Sequence, residues 1–153
     1  MNSIIGIVNY GIAGNIHSVK KAIEKAGGNT LVVNSPSDFD LVDKVVIPGV
    51  GSFKNAMQEL ENNGLIASLN EFDKPILGIC LGMQLMCKSS TEEGFNKGLG
   101  FVDGTIKKFT NSGIKIPHIG FNQVFSNKNS KLFTGINPLS DFYFVHSYRM
   151  ESN

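Results

Sequence analysis

Short apolar runs alternate with amphipathic stretches through the first half of the chain. Four runs rich in Ile, Val and Leu predict buried strands, at residues 4–8, 31–33, 45–47 and 75–80. Between them, apolar residues at helical spacing predict helices, one stopped at Gly27 and another near Gly64. The order β-α-β-β-α-β predicts a mostly parallel central sheet flanked by helices, an α/β fold.

The pattern changes in the second half, where β-branched and aromatic residues predict further strands joined by hairpin-like turns. These strands are expected at residues 100–102, 105–109, 121–125 and 142–145, with Asp103-Gly104 as one of the turns. They add antiparallel strands to the parallel half. Cys87, seven residues after Cys80, is expected to continue the short helix that begins at Leu81, as a small buried residue.

Composition and charge narrow the class of protein. The length of 153 residues predicts a single domain spanning 1–153, and 41% hydrophobic residues with 18% charged residues are typical of a globular chain. The net charge of +1, from scattered Lys and Arg, argues against nucleic acid and anionic membranes as partners. No apolar run is long enough to span a bilayer, and the start of the chain lacks a basic leader. Two closely spaced cysteines favour neither a disulfide nor a metal site, so we expect a cytoplasmic protein without metal or cofactor.

The segment Gly78-Ile79-Cys80-Leu81-Gly82 carries the strongest chemical signal. It is the thiol version of the Gly-x-Ser-x-Gly nucleophile elbow, in which glycines let neighbouring backbone pass closely on both sides of the nucleophile. The pattern predicts Cys80 at the end of a central strand with unusual backbone angles. For this motif alone, a buried structural cysteine beside packing glycines is an equally good interpretation.

A second glycine-rich turn, Pro48-Gly49-Val50-Gly51, follows the preceding predicted strand. In a parallel sheet the carboxyl ends of neighbouring strands meet, and ligands collect there. Free N–H groups of this turn beside Cys80 would form an oxyanion hole. On its own the motif is most often an ordinary tight turn, but the two motifs together favour a cysteine nucleophile with its oxyanion site.

These motifs lie in the order found in one enzyme family. Residues 48–53, 78–84 and 143–148, together with Val8-Asn9-Tyr10-Gly11 and residues 117–122, resemble the glutaminase subunits of imidazole glycerol phosphate synthases. Those subunits are class I (triad-type) glutamine amidotransferases with a flavodoxin-like fold. The resemblance extends along the whole chain.

The resemblance implies hydrolysis of L-glutamine by a Cys-His-Glu triad. The ammonia would pass to a (β/α)8-barrel cyclase subunit, forming a heterodimer that makes imidazole glycerol phosphate and AICAR in histidine biosynthesis. Cys80 would be the nucleophile, with an oxyanion hole from the backbone of Gly49, Val50 and Gly51 and the N–H of Leu81. The residues that would hold glutamine are Gln84, Glu92, Ser147 and Tyr148, and those that would face the partner are Asn15, Phe121 and Tyr143.

Three departures from the family pattern leave alternatives open. The triad His and Glu of the family come from a His-Pro-Glu segment after the motif at 143–148, and this sequence ends at Asn153 without one. We therefore expect a C-terminally truncated, inactive chain, with His118 and His146 as poor substitutes for the base. Phe121 stands where Trp is usual and Asn9 where Asp is usual, which leaves room for a paralogue that feeds ammonia to a surface-sugar amidotransferase. A catalytically dead domain that at most binds a partner is the third interpretation.

Overall fold

A computed structural model describes residues 3–11, 15–110, 113, 115–125 and 130–152. The chain forms two compact units, Met1–Lys107 with Met150–Asn153, and Lys108–Arg149, and each is described by itself. The single domain over 1–153 stays a prediction. None of the helices in the described ranges is long and apolar enough to cross a membrane.

A four-stranded parallel sheet organises the first unit, as the alternation of strands and helices predicts. Its strands are β1 (Ile4–Val8), β2 (Asn29–Val33), β3 (Lys44–Ile47) and β4 (Ile76–Gly78), in the order β2-β1-β3-β4. The helices are α1 (Ile16–Lys25), α2 (Phe53–Asn62), α3 (Leu65–Glu71) and α4 (Leu81–Leu85), with a 3₁₀ helix at Pro36–Leu41. The predicted elements of this half are confirmed, with boundaries shifted by a few residues.

The core of the first unit forms where this sheet meets its helices. Ile7 and Ile47 from the strands are fully buried, as are Phe53, Leu60 and Leu65 from α2 and α3. Burial of an aliphatic or aromatic side chain of this size contributes roughly 1.5–3 kcal/mol. The strand that leads to Cys80 is not central as predicted, because β4 pairs only with β3 and is the outermost strand of the described sheet.

A second sheet corrects two predictions from the sequence. It contains β5 (Cys87–Ser90), β6 (Asn96–Lys97), β7 (Val102–Lys108) and β10 (Tyr148–Glu151), in the order β10-β7-β5-β6. Cys87 begins β5 instead of extending α4. Asp103-Gly104 is not a turn but part of β7, where a Cβ on Gly104 would lie 2.8 Å from Met150 Cγ and 3.1 Å from the Glu151 carbonyl oxygen. The glycine there allows a close strand approach, which a local pattern cannot distinguish from a turn.

The second unit is built on an antiparallel pair, β8 (His118–Gln123) and β9 (Asp141–His146). A short 3₁₀ helix, Lys131–Phe133, lies between them along the chain. The expectation of antiparallel strands in the second half is confirmed here, although β5 and β7 of the first unit pair in parallel.

Candidate active site

Cys80 lies on a sharp turn between a strand and a helix. Ile79 extends the ladder of β4 by donating its N–H to the Ile47 carbonyl at 2.9 Å, and α4 begins at Leu81. Cys80 has φ 52° and ψ −113°, a conformation that L residues rarely adopt. Such conformations cost of order 1–3 kcal/mol and concentrate at functional sites. The side chain is exposed, so the elbow presents its thiol to solvent.

The two glycines of the elbow are needed for close backbone packing. A Cβ on Gly78 would lie 2.5 Å from the N and Cα atoms of Met83. A Cβ on Gly82 would lie 1.7 Å from the carbonyl oxygen of Ile47 in the neighbouring strand. Neither contact can be relieved by rotating a side chain, because the atoms struck belong to the backbone. This is the role that the Gly-x-Cys-x-Gly spacing predicts.

The glycine-rich turn of residues 48–51, here called the oxyanion turn, lies against the elbow. It follows β3, which is the neighbour of β4 in the sheet. The Leu81 N–H donates a hydrogen bond to the Gly49 carbonyl at 3.3 Å. Parallel pairing of β3 and β4 therefore brings the two motifs together, as their positions after adjacent strands predict.

This hydrogen bond occupies one of the two N–H groups expected to bind an oxyanion. Among the described residues the only cis peptide bond precedes Pro117, so the peptide between Gly49 and Val50 is trans. A planar trans peptide directs its C=O and N–H in opposite directions, which turns the Val50 N–H away from Leu81. The two donors do not converge in this conformation. The 3.3 Å bond that holds it is longer than a typical N–H···O bond.

Tyr10, which follows β1, is a residue of this site for which the sequence predicted no role. Its side chain is fully buried and its hydroxyl donates to the Pro48 carbonyl. Burial raises the pKa of the Tyr10 phenol well above its ordinary value, and the nearby Cys80 raises it further. The available signal was its place at the carboxyl end of a strand next to β3, where side chains of a parallel sheet gather around ligands.

Two candidate glutamine-binding residues also belong to this first unit. Glu92 follows β5, and its Oε2 accepts the Phe53 N–H at 2.9 Å at the start of α2. This bond fixes the carboxylate directly after the oxyanion turn, where the helix N-terminus favours negative charge. Gln84 lies one turn into α4, is half-buried, and donates its backbone N–H to the Cys80 carbonyl at 3.2 Å.

The second unit holds the other candidates and two of the three histidines. The Ser147 carbonyl accepts the Phe109 N–H at 3.1 Å, and the Tyr148 carbonyl lies 2.8 Å from His146 Nδ1. His146 Nε2 lies 3.0 Å from His118 Nδ1, so both ring nitrogens of His146 already have protein partners. No group of three or more His, Cys, Asp or Glu side chains within the described parts of the chain could hold a metal ion.

Comparison with known proteins decides the family. The model of the class-I glutamine amidotransferase family matches residues 7–153. The chain belongs to the class-I glutamine amidotransferases. It is 47% identical over 150 residues to imidazole glycerol phosphate synthase subunit HisH 1 of Campylobacter jejuni subsp. jejuni serotype O:23/36 (strain 81-176), covering 95% of this chain and 74% of that protein. It is 43% identical over 152 residues to the HisH subunit of Sulfurimonas denitrificans (strain ATCC 33889 / DSM 1251), covering 95% and 72%.

A solved structure supports the amidotransferase fold independently of close sequence similarity. A glutamine amidotransferase crystal structure superimposes with a TM-score of 0.67 at 15% identity, covering 92% of this chain and 69% of the other. The predicted class I amidotransferase fold, a mostly parallel sheet with helices, is therefore confirmed.

The first unit of this amidotransferase gathers the nucleophile candidate and its neighbours. Cys80, the oxyanion turn and Leu81 are in direct contact through backbone, and Glu92 is tied to the residue two positions after that turn. Asn15 belongs to the same unit, where it is exposed at the N-cap of α1 without a side-chain capping bond. The remaining predicted residues, Ser147, Tyr148, Phe121 and Tyr143, belong to the second unit.

Proposed function

We propose that this chain is the glutamine-hydrolysing subunit of an imidazole glycerol phosphate synthase, producing ammonia for a cyclase subunit in histidine biosynthesis. The observation that carries the proposal is the strained, exposed Cys80 on its elbow against the oxyanion turn. The relatives named as subunits of that synthase, at 43–47% identity, support the choice of pathway.

The chemistry begins at the Cys80 sulfur. The thiolate attacks the side-chain amide carbon of glutamine, the C–N bond breaks, and ammonia leaves with a proton taken from the general acid. The γ-glutamyl thioester that remains is then cleaved by water, which releases glutamate and restores the cysteine. Each attack places negative charge on the former amide oxygen, which needs backbone donors beside the sulfur.

The oxyanion turn supplies those donors after one local change. The 3.3 Å bond from Leu81 to Gly49 breaks, and the Gly49–Val50 peptide turns so that the Val50 N–H joins the Leu81 N–H. Gly51, the next residue of the turn, has a φ of 111°, a backbone angle that residues other than glycine rarely adopt. Breaking one long, weak backbone bond costs about 1 kcal/mol, so glutamine or a partner can drive the change.

Substrate recognition falls to Gln84, Glu92, Ser147 and Tyr148. The Glu92 carboxylate accepts a single N–H, from Phe53, among its described bonds, and an ionised carboxylate has about four acceptor positions. It can therefore also accept the α-ammonium group of glutamine. Gln84 provides amide groups near the elbow. The backbone of Ser147 and Tyr148, in the second unit, is proposed to contact the amino-acid head.

We expect this 153-residue chain to bind covalently to a glutamine analogue but not to turn over glutamine. Its sequence contains no His-Pro-Glu segment to supply the triad His and Glu, and loss of such a base costs on the order of 10⁴-fold in rate. The test is incubation with diazo-oxo-norleucine, a glutamine-shaped diazoketone, followed by intact-mass and peptide analysis. One adduct, on Cys80 and prevented by excess L-glutamine, is expected.

Ammonia release from L-glutamine by the same preparation is expected to stay at the level of the buffer control. Absence of any protected adduct would contradict the glutaminase proposal. Ammonia release well above the buffer control would instead contradict the requirement for the family's His and Glu, and His146→Ala would then test whether His146 is the base.

The cyclase partner is proposed to bind the exposed apolar face of the β8–β9 pair. Phe121 and Tyr143 are register partners with ring centroids 5.2 Å apart, and they are 70% and 58% exposed. Ile119 and Val145, two positions along the same strands, are 58% and 52% exposed on the same face. A cluster of exposed aromatic and aliphatic side chains is typical of a protein interface.

Phe121→Ala and Tyr143→Ala are each expected to weaken binding of a (β/α)8-barrel cyclase by about 2 kcal/mol, roughly 30-fold in Kd. Asn15→Ala is expected to weaken it less, because it removes a small polar contact. The matched control is Leu132→Ala, at a residue that is 60% exposed in the same unit but outside both strands. Titration calorimetry with the cyclase subunit of the Campylobacter synthase measures all four. Equal losses for Leu132→Ala and Phe121→Ala would refute this face as the interface.

A further inference from the structure

The Tyr10 side chain packs against the first residue of the oxyanion turn. It is fully buried, and its hydroxyl donates to the carbonyl of Pro48, the first residue of that turn. A buried carbonyl that loses its donor costs roughly 1–3 kcal/mol, so the turn is held at this point. Pro48 adds its own restraint, because the ring fixes its φ. The peptide between Pro48 and Gly49 is thus fixed at one end of the turn.

The position of the Tyr10 hydroxyl explains the glycine at 49. A Cβ on Gly49 would lie 1.9 Å from the Tyr10 hydroxyl oxygen, while the next nearest atoms, Tyr10 Cζ and Leu81 Cβ, would lie at 3.2 Å. The hydroxyl, more than the ring, therefore excludes a side chain there. Tyr10 and Gly49 form a matched pair in which the missing Cβ admits the donor.

Tyr10 acts as a permanent donor and not as a base. Burial and the nearby Cys80 both favour the neutral phenol and raise its pKa, so the proton stays on the oxygen as the sulfur becomes charged. The hydroxyl therefore continues to bond Pro48 throughout the reaction. Its influence on the reacting atoms passes through the backbone of the turn.

Open space lies beside the second half of the turn. A cavity of about 530 Å³ is lined by Val50 and Gly51 of the turn and by Tyr10, Gly11, Ser52, Asn55, Ala56 and Glu59, and the Val50 side chain is 49% exposed. Because Val50 borders this space, the Gly49–Val50 peptide has room to turn there. One peptide of the turn is thus fixed by Tyr10 while the next is free to rotate.

We propose that Tyr10 is a positioning residue for glutamine hydrolysis. Its hydroxyl holds the Pro48–Gly49 peptide in place. The Gly49–Val50 peptide turns about this fixed point and presents its N–H to the oxyanion. The inference rests on the proposed glutaminase function. It assigns to the segment after β1 a role in the oxyanion site that the motifs around Cys80 do not reveal.

The test compares two electrophiles on wild-type protein and Tyr10→Phe, which keeps the ring and removes only the hydroxyl. Diazo-oxo-norleucine needs both the sulfur and hydrogen-bond donors for its carbonyl oxygen. In the reaction the sulfur replaces dinitrogen at the diazo carbon, and that carbon takes up a proton. Iodoacetamide needs only the sulfur. Tyr10→Phe is expected to slow alkylation of Cys80 by the diazoketone at least about tenfold, as loss of oxyanion alignment does, and to change the iodoacetamide rate less than about twofold.

A double-mutant cycle tests the pivot without relying on reactivity. Gly49→Ala is expected to lower the folding equilibrium constant strongly in wild type, where the new Cβ strikes the hydroxyl. In the Tyr10→Phe background the same substitution meets atoms at 3.2 Å and is expected to cost at least about tenfold less. Urea unfolding followed by circular dichroism measures the four proteins, and it also shows whether Tyr10→Phe is folded.

The outcomes separate this inference from the proposed function. Wild-type protein that takes no glutamine-protected diazoketone label would overturn both. Normal labelling of wild type with equal diazoketone rates in Tyr10→Phe would overturn the Tyr10 inference alone. Equal slowing of both electrophiles would also overturn it, because that is the mark of a general loss of structure. Additive costs in the double-mutant cycle would refute the hydroxyl as the reason for Gly49.

Discussion

Cys80→Ala is expected to abolish covalent capture of diazo-oxo-norleucine, whereas Cys87→Ala is expected to leave it intact. Cys80 is the exposed thiol at the strained end of the elbow, directly before the residue that bonds the oxyanion turn. Cys87 is buried at the start of β5, where burial raises the pKa of its thiol and keeps it unreactive. Mass spectrometry of both variants after identical exposure gives the result directly.

The same substitution separates ammonia production from ammonia use. In a complex between a cyclase and a form of this glutaminase that carries the family's His-Pro-Glu segment, Cys80→Ala is expected to eliminate product formation from glutamine and to spare formation from added ammonium. The cyclase needs only the nitrogen, so its own chemistry is untouched. Loss of both activities would argue against an ammonia-donor role, and labelling that persists in Cys80→Ala would remove Cys80 as the nucleophile.

Gly82→Ala is expected to cause the largest loss of stability of any single glycine substitution in the first unit, more than about 4 kcal/mol. Its Cβ would lie 1.7 Å from the Ile47 carbonyl oxygen and 2.6 Å from the Ile47 carbonyl carbon, in a fully buried residue of β3. The clash is with backbone, so relief requires α4 to move away from the sheet. That movement would also break the contact between Leu81 and the oxyanion turn.

Gly94→Ala is the matched control for this prediction. Nothing lies within 4 Å of a Cβ at Gly94, and its φ of +98° leaves only the conformational penalty of an L residue, about 1–2 kcal/mol. Urea unfolding at the same pH gives the free energy of unfolding of both variants. It compares the backbone clash in Gly82→Ala with the backbone strain in Gly94→Ala. Equal stabilities would mean that the elbow relaxes freely, contrary to the tight packing of α4 on β3.

Local patterns determined much of the fold and of the nucleophile. The apolar run Ile4–Val8 predicted β1 to the residue, because a buried parallel strand needs a continuous apolar segment on both faces. The Gly-x-Cys-x-Gly spacing predicted a strained thiol between strand and helix, and two glycine-rich turns after neighbouring strands predicted their contact. These features follow from nearby residues, so a sequence is sufficient to recognise them.

Other features depended on residues far apart in the chain. The sequence around Gly104 predicts a turn, yet Gly104 lies inside β7. The reason is the approach of Met150 and Glu151 from β10, at least 46 residues further along the sequence. Cys87 continues the helical spacing of α4 but joins β5, where its carbonyl accepts the Gly100 N–H and β7 pairs with it. Strand pairing outweighs local propensity at both positions.

The site shows the same division. Sequence alone predicted Cys80, the oxyanion turn and Leu81 as candidate site residues, but the tertiary structure decided that the Leu81 N–H is bonded to Gly49 and that Tyr10 holds Pro48. Spacing along a chain specifies which groups are available. The direction in which a peptide N–H points, and which buried hydroxyl reaches a carbonyl 38 residues away, depends on the packing of three strands against one another.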